Sequence, residues 1–218
     1  MIDLHTHTLF SDGELLPSEL VRRAEAVGYE AIAITDHVDL SNIDFVLPRI
    51  VKTCKVLNRY WDIISIPGVE ITHAPLEEIR PLVKFARKAG AKIVIVHGET
   101  ISEPVLPGTN RRAIEAGCDI LAHPGLISKE DMALAAKRGV YLELTTRKSH
   151  RLPDKRLFRM AGSVGAKLVL NTDSHSPEDL ISDKKADIFL RNIGVGKAAR
   201  RSIFWNSRVL LRKIGVLR

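Results

Sequence analysis

Cysteine is scarce: Cys54 and Cys118 are the two thiols in 218 residues. Two thiols without framework spacing exclude a disulfide-stapled scaffold and lead us to expect a reducing, cytoplasmic setting. Long apolar runs are missing too. No stretch approaches the roughly 18 uninterrupted apolar residues of a membrane span. No basic start followed by an apolar h-region is found, so no signal peptide is expected. Aromatic residues make up only 5% of the chain, which leaves few stacking platforms for a nucleic-acid strand. Acidic residues are also missing from the C-terminal region. Between Gly194 and Arg218 there are seven Lys/Arg and no Asp/Glu, which accounts for the whole net charge of +7. The remainder of the chain is neutral.

What is present fits an ordinary globular domain: a 45% hydrophobic and 27% charged chain, long enough to bury a full core. We expect one domain over 1–218. The basic segment "RRSIFWNSRVLLRKIG" places Ile203, Leu210 and Ile214 at helical spacing, with Phe204 and Leu211 beside them. It reads as an amphipathic closing helix within 194–218 that packs on the body with its cations outside. The alternative is a contact with nucleic acid or a membrane surface.

Short apolar runs alternate with helical patterns. Strands are expected at Ile2–His5, Ala31–Thr35, Ile63–Val69, Lys92–Val96, Ile120–Ala122, Val140–Leu144 and Lys167–Asn171. Helices are expected at Pro17–Ala26, Phe45–Tyr60, Pro75–Lys88, Thr109–Ala116, Lys129–Lys137, Lys155–Gly162 and Pro177–Leu190. Prolines sit at helix starts, and Gly28, Gly90, Gly117, Gly139 and Gly165 follow helices as stops do. Strict alternation implies parallel strands with helices outside. The polar residues favour a closed barrel over an open sheet.

Six of the seven strands deliver an ionisable residue at the same end. The first runs into His5, His7 and Asp12; the second ends at Asp36 and His37; the third at Glu70. The fourth ends at His97, the fifth at His123, the seventh at Asp173 and His175. A barrel gathers such side chains into one mouth, where active sites of this architecture are built. Six imidazoles with Asp12, Glu70 and Asp173 make nine nitrogen or oxygen donors. That exceeds one ion's needs at four- to six-fold coordination. Two or three divalent ions are the arithmetic answer, and the donor chemistry admits zinc, manganese or iron.

The set "HTHTLFSDG", "TDH", "PGVE", "VHGE", "AHPG" and "NTDSH" resembles the PHP superfamily, named for polymerase and histidinol phosphatase. The resemblance covers about residues 1–190. It implies a distorted (β/α)7 TIM-like barrel with a trinuclear centre. It also implies His5, His7, Glu70 and Asp173 around a first ion, and a bridging Glu70 with His97 and His123 around a second. Asp12, His37 and His175 would hold a third. Asp12, His37, Glu70, His97 and His175 would carry the catalysis. The implied activity is hydrolysis of a phosphate monoester by a metal-held hydroxide, with histidinol phosphate as one candidate substrate.

Other residues take lesser roles. Asp36 either orients an imidazole or caps a helix, and Glu99 and Thr100 are expected to line the mouth without assigned roles. Arg147 and Lys148, after the sixth strand, stand where a substrate phosphate needs a cation. His150 reads as an exposed loop histidine, or else as an extra acid or substrate contact. His73, ahead of Pro75, reads as structural. The expected partner is a small phosphorylated molecule, with no membrane partner. The rival readings are a nuclease or nucleotide phosphoesterase using the basic C-terminal segment, and a non-enzymatic RNA-binding barrel resembling the ribonuclease P protein subunit. Nine filled ligand positions disfavour the last.

Overall fold

The structure is a computed structural model that describes residues 1–217. In chain order the elements are β1 (Ile2–Asp3), α1 (Pro17–Val27), β2 (Ala31–Ile34), β3 (His37–Val38) and α2 (Ile43–Leu57). Next come β4 (Ile64–Ile71), α3 (Leu76–Lys88), β5 (Ile93–His97), α4 (Thr109–Ala116), β6 (Ile120–Ala122) and α5 (Lys129–Arg138). The chain ends with β7 (Tyr141–Thr145), α6 (Asp154–Val164), β8 (Leu168–Asn171), α7 (Asp183–Asn192) and α8 (Lys197–Lys213).

Every strand pairing is parallel, in the order β1-β2-β4-β5-β6-β7-β8. The short β3 pairs with β4 beyond β2, with His37 opposite Glu70, so β2 and β3 act as one interrupted strand. Seven strands result. The ring closes between the first and last of them: His7 N–H donates to Ser174 O at 2.8 Å and Asp173 N–H to His5 O at 3.0 Å. The closure uses the very segments that carry His5, His7 and Asp173. The expected distorted (β/α)7 barrel is what the chain forms.

The pleat sorts the side chains. In β5, Val94 and Val96 face the helices, whereas Ile93 and Ile95 belong to an inner cluster, and His97 continues their face. The same alternation puts Ile66 and Glu70 of β4 inside, and Tyr141 and Glu143 of β7. The interior is thus apolar towards the strand starts and polar towards the strand ends.

The basic C-terminal segment forms α8 and closes the apolar end. Leu210 and Leu211 are fully buried in the inner cluster. Asn206 Nδ2 donates to Leu168 O at the start of β8, and Arg208 pairs with Glu30 just before β2. One expected helix is corrected. Pro177–Leu190 divides into a 3₁₀ turn at Pro177–Asp179 and the helix α7. Ser176 and Asp179 form a capping box, Leu180 is extended, and Ser182 starts a second cap by accepting from Lys185 N–H. Among the described residues, no helix is long and apolar enough to cross a membrane.

Candidate metal centre

Three buried carboxylates behind the ligands build the frame. Asp3 accepts from Thr172 Oγ1 at 2.6 Å and from Thr172 N–H, which ties β1 to the end of β8. Burial raises its pKa to about 6. Asp36 accepts from Thr8 N–H, Thr8 Oγ1 and Ser11 Oγ at 2.7–2.8 Å. It therefore pins the loop carrying His7 and Asp12, a different task from either one expected of it. Gly13 lets that loop fold tightly, since a Cβ there would lie 2.6 Å from the His7 carbonyl. Glu143 receives His5 Nδ1–H at 2.9 Å, Asn171 Nδ2 at 2.7 Å and His123 N–H at 3.1 Å. Donating Nδ1–H to a carboxylate leaves His5 Nε2 free to bind a cation.

Onto this frame the strand ends bring their donors. His5 Nε2 lies 3.0 Å from His7 Nε2, 3.2 Å from Glu70 Oε2 and 3.7 Å from Asp173 Oδ1. His7 Nε2 lies 3.2 Å from the same Asp173 oxygen. These four residues, all buried, form one knot. Asp12 Oδ1 lies 3.2 Å from His175 Nε2 and 3.5 Å from His37 Nε2. His7 stacks on His175 with ring centroids 4.1 Å apart, which joins that trio to the knot. His37 Nδ1 lies 2.7 Å from Thr72 Oγ1 and 2.8 Å from Glu70 Oε2, with its Nε2 turned to Asp12. His123 Nε2 approaches Glu70 Oε1 and Asp173 Oδ2 at 3.6–3.7 Å. His97 gives Nδ1–H to Gly98 O at 3.1 Å and packs edge-on against His123.

The donors sort into compact sets that can each hold an ion: His5, His7 and Glu70; His5, His123 and Asp173; His7, Asp12, His37 and His175; His97, His123 and His150. All nine sequence-expected donors are among them. The electrostatics fit cations as well. Burial and the neighbouring imidazoles hold the pKa of His7 well below the ordinary range, and burial with His97 does the same to His123, so both are neutral donors. Against burial, His5 and His37 hold Glu70 ionised. Among the described residues, five buried side-chain atoms lack a hydrogen-bond partner. Four of them are here: His7 Nδ1, both Glu70 oxygens and His123 Nδ1. Buried polar atoms without a hydrogen-bond partner are costly alone and are answered by bound cations. Strain points the same way. His123 and Asp173 take φ of +24° and +54°, in a region that costs non-glycine residues about 1–3 kcal/mol each.

Arg147 stands at the edge of this cluster, its Nη1 2.8 Å from His175 Nδ1 and 3.3 Å from Asp173 O. Lys148 is exposed beside it. Glu99 caps α4 by accepting from Gly108 and Asn110 N–H. The exposed-loop reading of His150 is overturned. The residue is 5% exposed, its Nδ1 lies 2.8 Å from both Thr100 Oγ1 and Ser102 Oγ, and its ring stacks on His123. Glu103 and Glu143 were not anticipated. Glu143 had a signal, a charge inside the otherwise apolar "YLEL"; Glu103 lies in an irregular loop and had none.

The PHP domain matches residues 3–99. The uncharacterized protein MJ1295 of Methanocaldococcus jannaschii is 43% identical over 97% of this chain and 99% of that protein. The 5'-3' exoribonuclease Rnm of Escherichia coli is 41% identical over 70 residues, which is 32% of this chain and 22% of that protein. A chain of archaeal ribonuclease P, solved by cryo-EM with mature tRNA, superposes with a TM-score of 0.74 at 17% identity, covering 97% of this chain and 90% of that one. That last likeness is one of fold. With the PHP match over its ligand-bearing first half and a full-length relationship to the M. jannaschii protein, the chain belongs to the PHP superfamily.

Proposed function

We propose that the protein is a metal-dependent phosphoester hydrolase acting on a phosphate monoester. One observation carries this reading: nine donors from six strand ends gather in one cluster, whose own hydrogen bonding leaves four buried polar atoms unsatisfied. His5, His7, Glu70 and Asp173 would hold one ion, Glu70 with His97 and His123 a second, and Asp12, His37 and His175 a third. Bound there, divalent ions supply an activated water near neutral pH and neutralise phosphate oxygens. The chain's own groups do the rest. Glu143, Thr72 and the Gly98 carbonyl hold His5, His37 and His97 with Nε2 forward. Asp12 is about half exposed whereas His5 and Glu70 are sealed, so substrate enters on the Asp12, His37 and His175 side. Arg147 lies on that side, and its planar guanidinium matches two phosphate oxygens. Next to it, a cavity of about 520 Å³ lined by Arg147, Lys148, Ser149, Arg151 and Lys185 has room for the organic part of a substrate.

The local likeness to 5'-3' exoribonucleases favours a second reading, a nuclease working with the same centre. Four cations line that cavity, offset in part by Glu178 and Asp179, and such a lining also admits a polyanion. The position of α8 speaks against the C-terminal segment as the substrate contact, because it lies at the opposite end of the barrel from the donors. The test is a metal analysis combined with turnover of histidinol phosphate, nucleotides and 5'-phosphorylated oligonucleotides. We expect release of inorganic phosphate from a monoester, lost on chelation and restored by manganese or zinc. Oligonucleotide shortening instead would establish the second reading. A metal-replete protein inert on every phosphoester would overturn both.

A further inference from the structure

His150 and Glu103 face the centre from loops outside the nine-residue pattern. His150 follows β7 and Glu103 lies between β5 and α4. Glu103 Oε2 is 3.3 Å from His97 Nε2, and its Oε1 is 3.4 Å from His150 Nε2. His97, His123 and His150 present ring nitrogens within 4.8 Å of one another. Donors about 2.1 Å from one ion at tetrahedral angles lie about 3.4 Å apart, and the two contacts of the Glu103 carboxylate match that spacing. His150 is also held as metal ligands are. Thr100 and Ser102 fix its Nδ1, which turns Nε2 inward, and they come from the same loop as Glu103. One short stretch, 100–103, therefore positions one donor and supplies another.

We propose that His150 and Glu103 are metal ligands that join His97 and His123 around a single ion, a proposal that rests on the metal centre described above. With Glu70, His97, His123, His150 and Glu103 around it, this ion has five protein donors and no position left for water, whereas a catalytic ion keeps one open. Glu103 is the partly exposed member and stands between the ion and solvent. Activation of water then falls to the ions on the side of Asp12, His37 and His175. His73, whose Nε2 is 3.2 Å from Glu103 Oε2, steadies that carboxylate from outside.

The test is a cobalt(II) titration of the metal-stripped full-length protein, followed by visible absorption and elemental analysis. It compares the wild type with His150→Ala, Glu103→Ala and Glu103→Gln, each checked for folding by circular dichroism. Wild type should develop the visible bands of bound cobalt(II). Each variant should change those bands, and its affinity for one ion should weaken about tenfold or more, while the other ions are retained. Glu103→Gln, nearly isosteric, keeps the test valid if either alanine variant misfolds. Variants whose spectra and affinities superimpose on the wild type would overturn this proposal and leave the proposed function standing. A wild type that binds no ion would overturn both.

Discussion

The two ends of the barrel are built from opposite materials. At the strand ends the interior holds His5, His7, Glu70, His97, His123, Glu143 and Asp173, every one buried. At the strand starts it holds Ile2, Ala31, Ile66, Ile93, Ile120 and Tyr141, closed by Leu210 and Leu211 of α8. The apolar end gains free energy on burial, about 25 cal/mol per Å² removed from water. The polar end costs free energy wherever a charge or a lone pair is left without a partner. One fold holds both because the strands are continuous: the packed end fixes the backbone, and the polar end uses that fixed backbone to hold groups that would otherwise move apart or take up protons. The positive φ of His123 and Asp173 occurs at the polar end of the strands, where the surrounding ladder enforces it.

The sharpest way to break this division is from the apolar side. Leu210→Ala opens a cavity in a closed cluster, and a fully buried leucine truncated there costs about 2–5 kcal/mol. We expect a large fall in the urea midpoint with the metal stoichiometry of the folded protein unchanged. If stability stayed level, α8 would be an appendage rather than the floor of the barrel. A loss of metal at full folding would mean that the two ends are not separable.

The difference between the ends also explains what the chain revealed before its structure. The donors were legible because a parallel barrel delivers them directly after each strand, where a histidine or carboxylate ends an apolar run, as in "VIVH" and "LNTD". Strand existence followed from the same runs. Glu143 was hidden because its role depends on which face of β7 it occupies, and parity becomes meaningful only once Tyr141 is known to point inward. His150 and Glu103 were hidden because loops have no period from which to read a direction. The break between the 3₁₀ turn and α7 was missed because two serine caps six residues apart mimic one continuous helical pattern. What sequence shows well here is periodic, and what it conceals is where aperiodic segments come back in space.

Within the polar end, the frame and the ligands are separable in magnitude. Glu143→Gln keeps the shape and the contact to His123 N–H but removes the charge that fixes the His5 tautomer. Removing such an outer partner costs about 10–100-fold in metal affinity. Competition with a chelator of known affinity measures it. The folded structure should persist, because the amide still accepts a hydrogen bond. Unchanged affinity would show that the knot of His5, His7, Glu70 and Asp173 orients itself without the carboxylate behind it.

The smallest effect belongs to a pair of the same chemistry at the other end. Arg208 and Glu30 join α8 to the start of β2 through both guanidinium nitrogens, yet both side chains are more than a third exposed. Exposed pairs of this kind are worth about 0.2–1 kcal/mol and are screened by salt. Arg208→Ala should therefore lower stability by less than about 1 kcal/mol, and the difference from wild type should shrink as sodium chloride is raised. Parallel urea melts at low and high salt decide the matter. A salt-independent loss as large as that of Leu210→Ala would mean that α8 is held by its charges, and the contrast between an apolar floor and an ionic mouth would have to be redrawn.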